Sequence, residues 1–386
     1  MLNDSTGYIK LDKFLENAAH EVRDALITLK QKHAIKSLVL DLRGNGGGIV
    51  QESVNIVNLF VNKGQAIVTQ RGRFEERDFV YKAALTPVDA QIPLVVLVDK
   101  VSASASEIVA GAIQDMDWGT IIGQQTFGKG LVQQTLSLPY NALLKVTIAK
   151  YYTPSGRCIQ AMDYAHKSKD GSASKISDSL RAEFKTKGGR FVYDVSGIYP
   201  DITVAEKSFN NISYSIMSKR LHFNYATQYR ASHVTIPAAR SFKLSDAEYQ
   251  EFVQFLQDKD YSYTTKSKKN LQELKSIALK EKYFENIKAE FTALESKLLD
   301  NKKDDLTRYK EELKKILEEE IASRYYFQRG ELEASFKTDA GLKEALRVLQ
   351  NKKLYATILN GEGSYKTIGK PVALVKTAAA TPKSTN

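Results

Sequence analysis

Cysteine is almost missing from this chain: Cys158 is the only one among 386 residues. That excludes an internal disulfide framework and any metal site built from several thiolates, and it leaves the redox compartment unreadable. Long apolar runs are absent as well. No uninterrupted stretch approaches the ~18 residues a membrane span requires, and Met1-Leu2-Asn3-Asp4 has neither the basic nor the apolar region of a secretory signal. A dense basic stripe is also lacking. The net charge is +11, yet residues 241–386 hold 27 Lys+Arg against 23 Asp+Glu and residues 1–240 hold 29 against 22, so the excess is spread. Without clustering or an interleaved aromatic platform, the charge reads as a solvated basic surface and not as a nucleic-acid interface.

What remains is an ordinary globular composition, 42% apolar and 26% charged, long enough for two domains. The first 150 residues alternate strand and helix. Ser37-Leu38-Val39-Leu40-Asp41-Leu42 has the look of a buried strand and runs into Arg43-Gly44-Asn45-Gly46-Gly47-Gly48; Val50, Val54, Val57 and Val61 then recur at helical spacing. The unit repeats as Leu94 to Val98, a Ser/Ala turn, a helix through Ile108, Val109, Ala112, Ile113 and Met116, and a strand at Thr120-Ile121-Ile122. Such alternation predicts a mostly parallel sheet covered on both faces. After Lys129 a hairpin is expected, Leu131 to Leu138 and Leu143 to Tyr151 about Pro139-Tyr140-Asn141-Ala142. Residues 163–190 are polar and read as a long loop. From about residue 205 amphipathic helices dominate, with a capping box at Ser245 and Glu248 and a hydrophobic staple between Leu244 and Tyr249. The expected division is residues 1–205, a helical domain over 206–370, and a frayed tail over 371–386.

The glycine run suggests a dinucleotide fingerprint at first, but Ile49 occupies the third glycine position and Gln70 stands where a ribose-binding acid belongs. Its physical content survives: glycines let backbone N–H groups turn toward an anion at a helix N-terminus, an oxyanion as readily as a phosphate. The second strand-to-helix turn, Val101-Ser102-Ala103-Ser104-Ala105-Ser106-Glu107, has a structural reading as N-caps and close packing. Its serines need a base to act as nucleophiles. None of His20, His33, His166, His222 and His233 falls in a turn of the sheet, which leaves lysine. A lysine base must be neutral, and that calls for desolvation in a largely apolar pocket. Lys129 stands out, set in Thr126-Phe127-Gly128-Lys129-Gly130 between a strand and the hairpin. Ser172-x-x-Lys175 has the spacing of another serine–lysine motif but lacks its companions and is set aside.

These segments resemble the carboxy-terminal processing peptidases, or tail-specific proteases, serine peptidases with a serine–lysine dyad. The resemblance rests on five ordered blocks between Asp41 and Asp201: Asp41 to Gly48, Ser102 to Asp115, Thr126 to Gly130 with Gln133, Tyr152 to Arg157, and Gly197 to Asp201. The family's spacing of 25 residues between nucleophile and base, counted back from Lys129, falls on Ser104. The resemblance then implies Ser104 as nucleophile, Lys129 as general base and Gln133 as the residue that orients the lysine. It also implies an oxyanion hole from the Ala105 amide with Gly47 or Gly48, and supporting positions at Ser102, Ser106 and Asp115. The implied fold is α/β, a crotonase-like and ClpP-like, mostly parallel sheet core with a β-hairpin, followed by an α-helical C-terminal domain.

The substrate implied is a protein's carboxy-terminal tail, unfolded or apolar at its end, bound as an extended strand beside the sheet. No metal or organic cofactor is implied. Family members usually carry a signal peptide or anchor and a PDZ domain ahead of the segment that matches Gly7 onward, so this chain reads as a truncated form or a PDZ-less variant, of periplasmic or envelope location. The helical region reads as a solvated bundle on the protease core, or as a surface for homo-oligomer formation or adaptor docking. Two other readings compete: an inactive scaffold that binds tails or partners, and an acyl-thioester enzyme of the related crotonase architecture, which gives no role to Ser104 or Lys129.

Overall fold

The computed structural model describes residues 1–167, 171, 173–298 and 302–371. The set-aside Ser172 and nearly all of the expected frayed tail, residues 372–386, lie outside them. The chain divides into two compact units, Met1–Glu206 together with the chain from Ala340, and Lys207–Asp339.

The first unit runs β1 (Thr6–Lys10), α1 (Ala18–His33), β2 (Ser37–Asp41), α2 (Val50–Asn58), β3 (Ala66–Gly72), β4 (Phe79–Lys82), β5 (Leu94–Val98), α3 (Ala105–Asp115), β6 (Thr120–Gly123), β7 (Leu131–Ser137) and β8 (Leu143–Tyr152). Two short hairpins follow, β9 (Met162–Lys167) with β10 (Ala173–Lys175) and β11 (Glu183–Lys185) with β12 (Phe191–Tyr193), and then β13 (Ile202–Thr203). The described residues of the region expected as a long polar loop over 163–190 thus include two antiparallel strand pairs, whose short polar strands have too little apolar periodicity to show in the sequence. The second unit is all helix: α4 (Asn211–Ser218), α5 (Leu221–Ser232), α6 (Asp246–Phe255), α7 (Lys266–Lys280), α8 (Phe284–Leu298), α9 (Lys302–Arg308) and α10 (Lys310–Ser335). The last two helices, α11 (Ala340–Gln350) and α12 (Lys352–Leu359), belong to the first unit again.

The main sheet is parallel throughout, in the order β1-β2-β5-β6-β13. Every residue of β2 and β5 is buried, which is why both strands read as continuous apolar runs instead of alternating ones. Leu38, Leu40, Val96, Val98 and Ile121 join the core beneath α1, α2 and α3. Val39, Val95, Leu97 and Ile122 are equally buried but lie outside that cluster. Their side of the sheet is covered by α11 and α12, which pack on β5 and β6. Leu342, Ala345 and Val348 are the buried stripe of α11, and Tyr355 Oη accepts the Leu94 N–H at 3.0 Å. The helices expected to lie in the helical domain up to residue 370 are thus the second cover of the sheet. Their amphipathic pattern announces a buried stripe and does not say against what.

A second, antiparallel sheet has the order β4-β3-β8-β7, with β7 and β8 joined by the expected hairpin. Tyr140 and Asn141 both take positive φ, 62° and 59°, the turn that suits a hairpin's twist. In the helical unit, Ile212, Tyr225, Phe252, Leu313, Ile316 and Leu317 form the core. Its predicted capping box is present: Ser245 N–H donates to Glu248 Oε2 at 2.6 Å, and Glu248 N–H donates to Ser245 Oγ at 3.2 Å. Leu244 and Tyr249 are both buried in that core.

Candidate active site

Three segments of the first unit converge at the N-terminus of α3: the glycine loop after β2, the serine turn after β5, and the segment between β6 and β7. Ser104 is the N-cap of α3, half-buried, with φ 57° and ψ −114°. A non-glycine residue in that region costs on the order of 1–3 kcal/mol, and such strain persists only where the surroundings enforce it. Ala105, the next residue, begins the helix, and its N–H is engaged by no described residue. The dipole of the 11-residue helix makes this a place that favours negative charge.

The flanking serines fix the turn. Ser102 is fully buried and donates from Oγ to the Leu42 carbonyl at 2.8 Å, and its own carbonyl accepts the Phe127 N–H at 3.1 Å. Ser106, also fully buried, donates from Oγ to the Asn45 carbonyl at 2.8 Å, which Ala103 N–H reaches at 3.1 Å. The two serines therefore tie the Ser104 turn to the glycine loop and, through Ser102, to the Lys129 segment. The glycine loop is shaped by Asn45, whose Nδ2 donates to the Leu11 carbonyl and whose Oδ1 accepts the Gly47 N–H at 2.9 Å. Of the two expected glycine donors, Gly47 is thus already committed, while the Gly48 N–H is engaged by no described residue. Gly47 matters by absence of a side chain: its φ is +96°, and a Cβ there would fall 2.7 Å from the Ala103 carbonyl.

Lys129 and Gln133 are where expectation and structure part. Both side chains are exposed, and neither makes a hydrogen bond among the described residues. Lys129 was expected to be dry. Phe127 beside it is itself 49% exposed and gives it no apolar wall. What the fold does bring together is backbone. Glu107 Oε2 accepts the N–H of Ser104 and the N–H of Lys129, each at 2.8 Å. Glu107 Oε1 accepts the Thr126 hydroxyl at 2.6 Å and the Gly128 N–H at 2.7 Å. Burial pushes the Glu107 carboxyl above its ordinary range, and these donors act against that. Gln133 lies in β7 immediately after a bulge between Val132 and Gln133, a feature that re-aims side chains at a strand's start.

Asp115, at the far end of α3, lies about 16 Å along the helix from Ser104 at 1.5 Å per residue. Its carboxylate pairs with the buried Arg157 at 2.7 Å and accepts the Ser155 N–H at 3.1 Å, so it braces the Tyr152 to Arg157 block. Glu107 and Thr126 are the residues that sequence reasoning passed over. The signal for Glu107 was present, since Ser104-x-x-Glu107 is capping-box spacing before an apolar run.

Residues 5–165 match the family model described as peptidase family S41, and residues 212–349 match that of the C-terminal helical domain of a probable PDZ-protease. The carboxy-terminal-processing protease of Bartonella bacilliformis is 42% identical over 159 residues, covering 40% of this chain and 36% of the relative. The carboxyl-terminal-processing protease of Picosynechococcus sp. is 42% identical over 153 residues, covering 39% of this chain and 36% of the relative. Among solved structures, a photosystem II D1 C-terminal processing protease is 37% identical, with a TM-score of 0.37, over 40% of this chain and 39% of that one. The chain spans little more than a third of the length of these curated relatives. The α/β unit thus resembles peptidase family S41, and the helical unit resembles the C-terminal helical domain of a probable PDZ-protease.

Proposed function

We propose that the chain is a serine endopeptidase that cleaves proteins near their carboxy terminus. The observation that carries this reading is Ser104: a strained N-cap at the tip of α3, next to the unengaged Ala105 amide and pressed on by the Gly47 backbone. Ser104 Oγ attacks the scissile carbonyl, and the oxyanion that develops is met by the amides of Ala105 and Gly48. Lys129 takes the hydroxyl proton and returns it to the leaving amine, with Gln133 orienting it. Because the Lys129 side chain faces solvent, the substrate itself supplies the cover: an extended tail laid across the Lys129 to Gln133 segment displaces the water that keeps an ammonium charged.

The substrates this fits are unfolded carboxy-terminal tails with apolar ends, and the reading places the protein in the periplasm or at the cell envelope. The helical unit serves docking, of a second copy or of an adaptor.

Cleavage of an unfolded reporter with an apolar tail, measured for the purified chain, for Ser104→Ala and for Lys129→Ala, tests the assignment. Each substitution should lower kcat by a factor on the order of 10³ or more while leaving the unfolding midpoint in place. Normal cleavage by Lys129→Ala overturns it.

A further inference from the structure

Glu107 is wholly buried, and each of its carboxyl oxygens receives two donors. Thr126 Oγ1 accepts the Ile198 N–H at 2.7 Å and keeps its own hydrogen to donate to Glu107 Oε1. Three of the four partners are backbone amides, which only donate, so the site fits a carboxylate, whose lone pairs take four hydrogens. Among the described residues no lysine or arginine side chain pairs with it. Its charge is held by backbone amides, one hydroxyl and the N-terminus of α3.

An N-terminal cap alone does not require this. At α6 the Glu248 carboxyl serves one backbone amide, that of Ser245, and the hydroxyl of Tyr229. Glu107 instead reaches three backbone amides on two separate segments, one of which carries Ser104 and the other Lys129.

We propose that Glu107 is a positioning residue that sets the spacing of nucleophile and base, gripping the Ser104 and Lys129 backbones with one carboxylate oxygen and locking the lysine segment through Gly128 and Thr126 with the other. This rests on the dyad reading above. Glu107 touches neither substrate nor the transferred proton; it acts through the two residues it holds. Glutamine keeps the shape but offers one acceptor oxygen, so its amide hydrogens point at two donors that lose their partner.

The test measures wild type, Glu107→Gln, Thr126→Ser and Thr126→Val in two ways: steady-state cleavage of a tail peptide, and the rate at which a small fluorophosphonate modifies Ser104. The second readout needs an activated nucleophile and no tail binding. Glu107→Gln should lower kcat and the modification rate together by about 100-fold, the penalty of a misplacement of about 1 Å, with KM changed little. Thr126→Ser, which keeps the hydroxyl, should stay near wild type, while Thr126→Val should fall in the direction of Glu107→Gln; this pair decides the matter if Glu107→Gln does not fold. A folded Glu107→Gln that is modified and turns over at wild-type rates overturns the proposal. A wild-type chain that neither cleaves nor reacts at Ser104 defeats the dyad reading itself, and the proposal falls with it.

Discussion

Gly47 and Ser104 touch backbone to turn: a Cβ added at Gly47 would lie 2.8 Å from Ser104 Cβ and 3.0 Å from the Ala105 nitrogen. No side chain fits between the glycine loop and the start of α3. Gly47→Ala should therefore push the Ser104 turn away from the loop and strain a residue held at φ +96°. The expected result is a stability loss of about 1–3 kcal/mol and a fall in cleavage of at least about 100-fold. Urea unfolding and tail-peptide turnover check both.

The Asp115–Arg157 pair predicts a different signature. Both side chains are essentially excluded from water. Asp115→Ala leaves an unpaired buried guanidinium and should cost about 3–5 kcal/mol. At temperatures where the variant remains folded, fluorophosphonate modification of Ser104 should proceed at the wild-type rate. A selective loss of reactivity with unchanged stability would instead give Asp115 a part in the chemistry.

Asp41 gives a pH dependence with a definite sign. Burial alone would raise its pKa, but the Arg43 guanidinium at 2.6 Å and Lys10 outweigh it and hold the carboxyl below the usual range. A depressed folded pKa stabilises fully above the unfolded value of about 3.9, and that contribution drains away as pH falls through the folded value. Asp41→Asn should be less stable than wild type at neutral pH, and the difference should shrink below about pH 4. Melting temperatures between neutral and acid pH provide the check.

Val348 lies on the buried stripe of α11 that covers the outer face of the parallel sheet. Val348→Asp should destabilise the first unit by about 4 kcal/mol or more, because the new charge has no partner there. Loss of tail cleavage together with the first unit's unfolding transition is the expected outcome. A variant that keeps full activity would mean the sheet does not depend on that helix.

The parts of the fold legible in the sequence are those where a residue's own neighbours decide its state. Val39 and Val95 sit in strands buried on both sides, and Val54 and Val57 in a helix with one wet face, so their patterns declare themselves. Ser245 and Glu248 are decided by three residues of local chain. Ser104 was not legible from its turn alone, since Ser102 and Ser106 have the same local chemistry and only the tertiary bonds to Leu42 and Asn45 set their roles apart. Lys129 misled because flanking glycines signal close approach of backbone, which Gly128 indeed makes to Ala161, and say nothing about where the lysine side chain goes. Helix α11 misled because a stripe such as Leu342, Ala345 and Val348 has no address.

That last misreading has a consequence for biosynthesis. The bond between Leu94 and Tyr355 spans 261 positions, and the whole helical unit is made between its two ends. A nascent chain therefore carries Ser104 and Lys129 long before the lid over the reverse side of the sheet has left the ribosome. The order of synthesis delays completion of the unit that holds Ser104 and Lys129 until almost the end of the described chain.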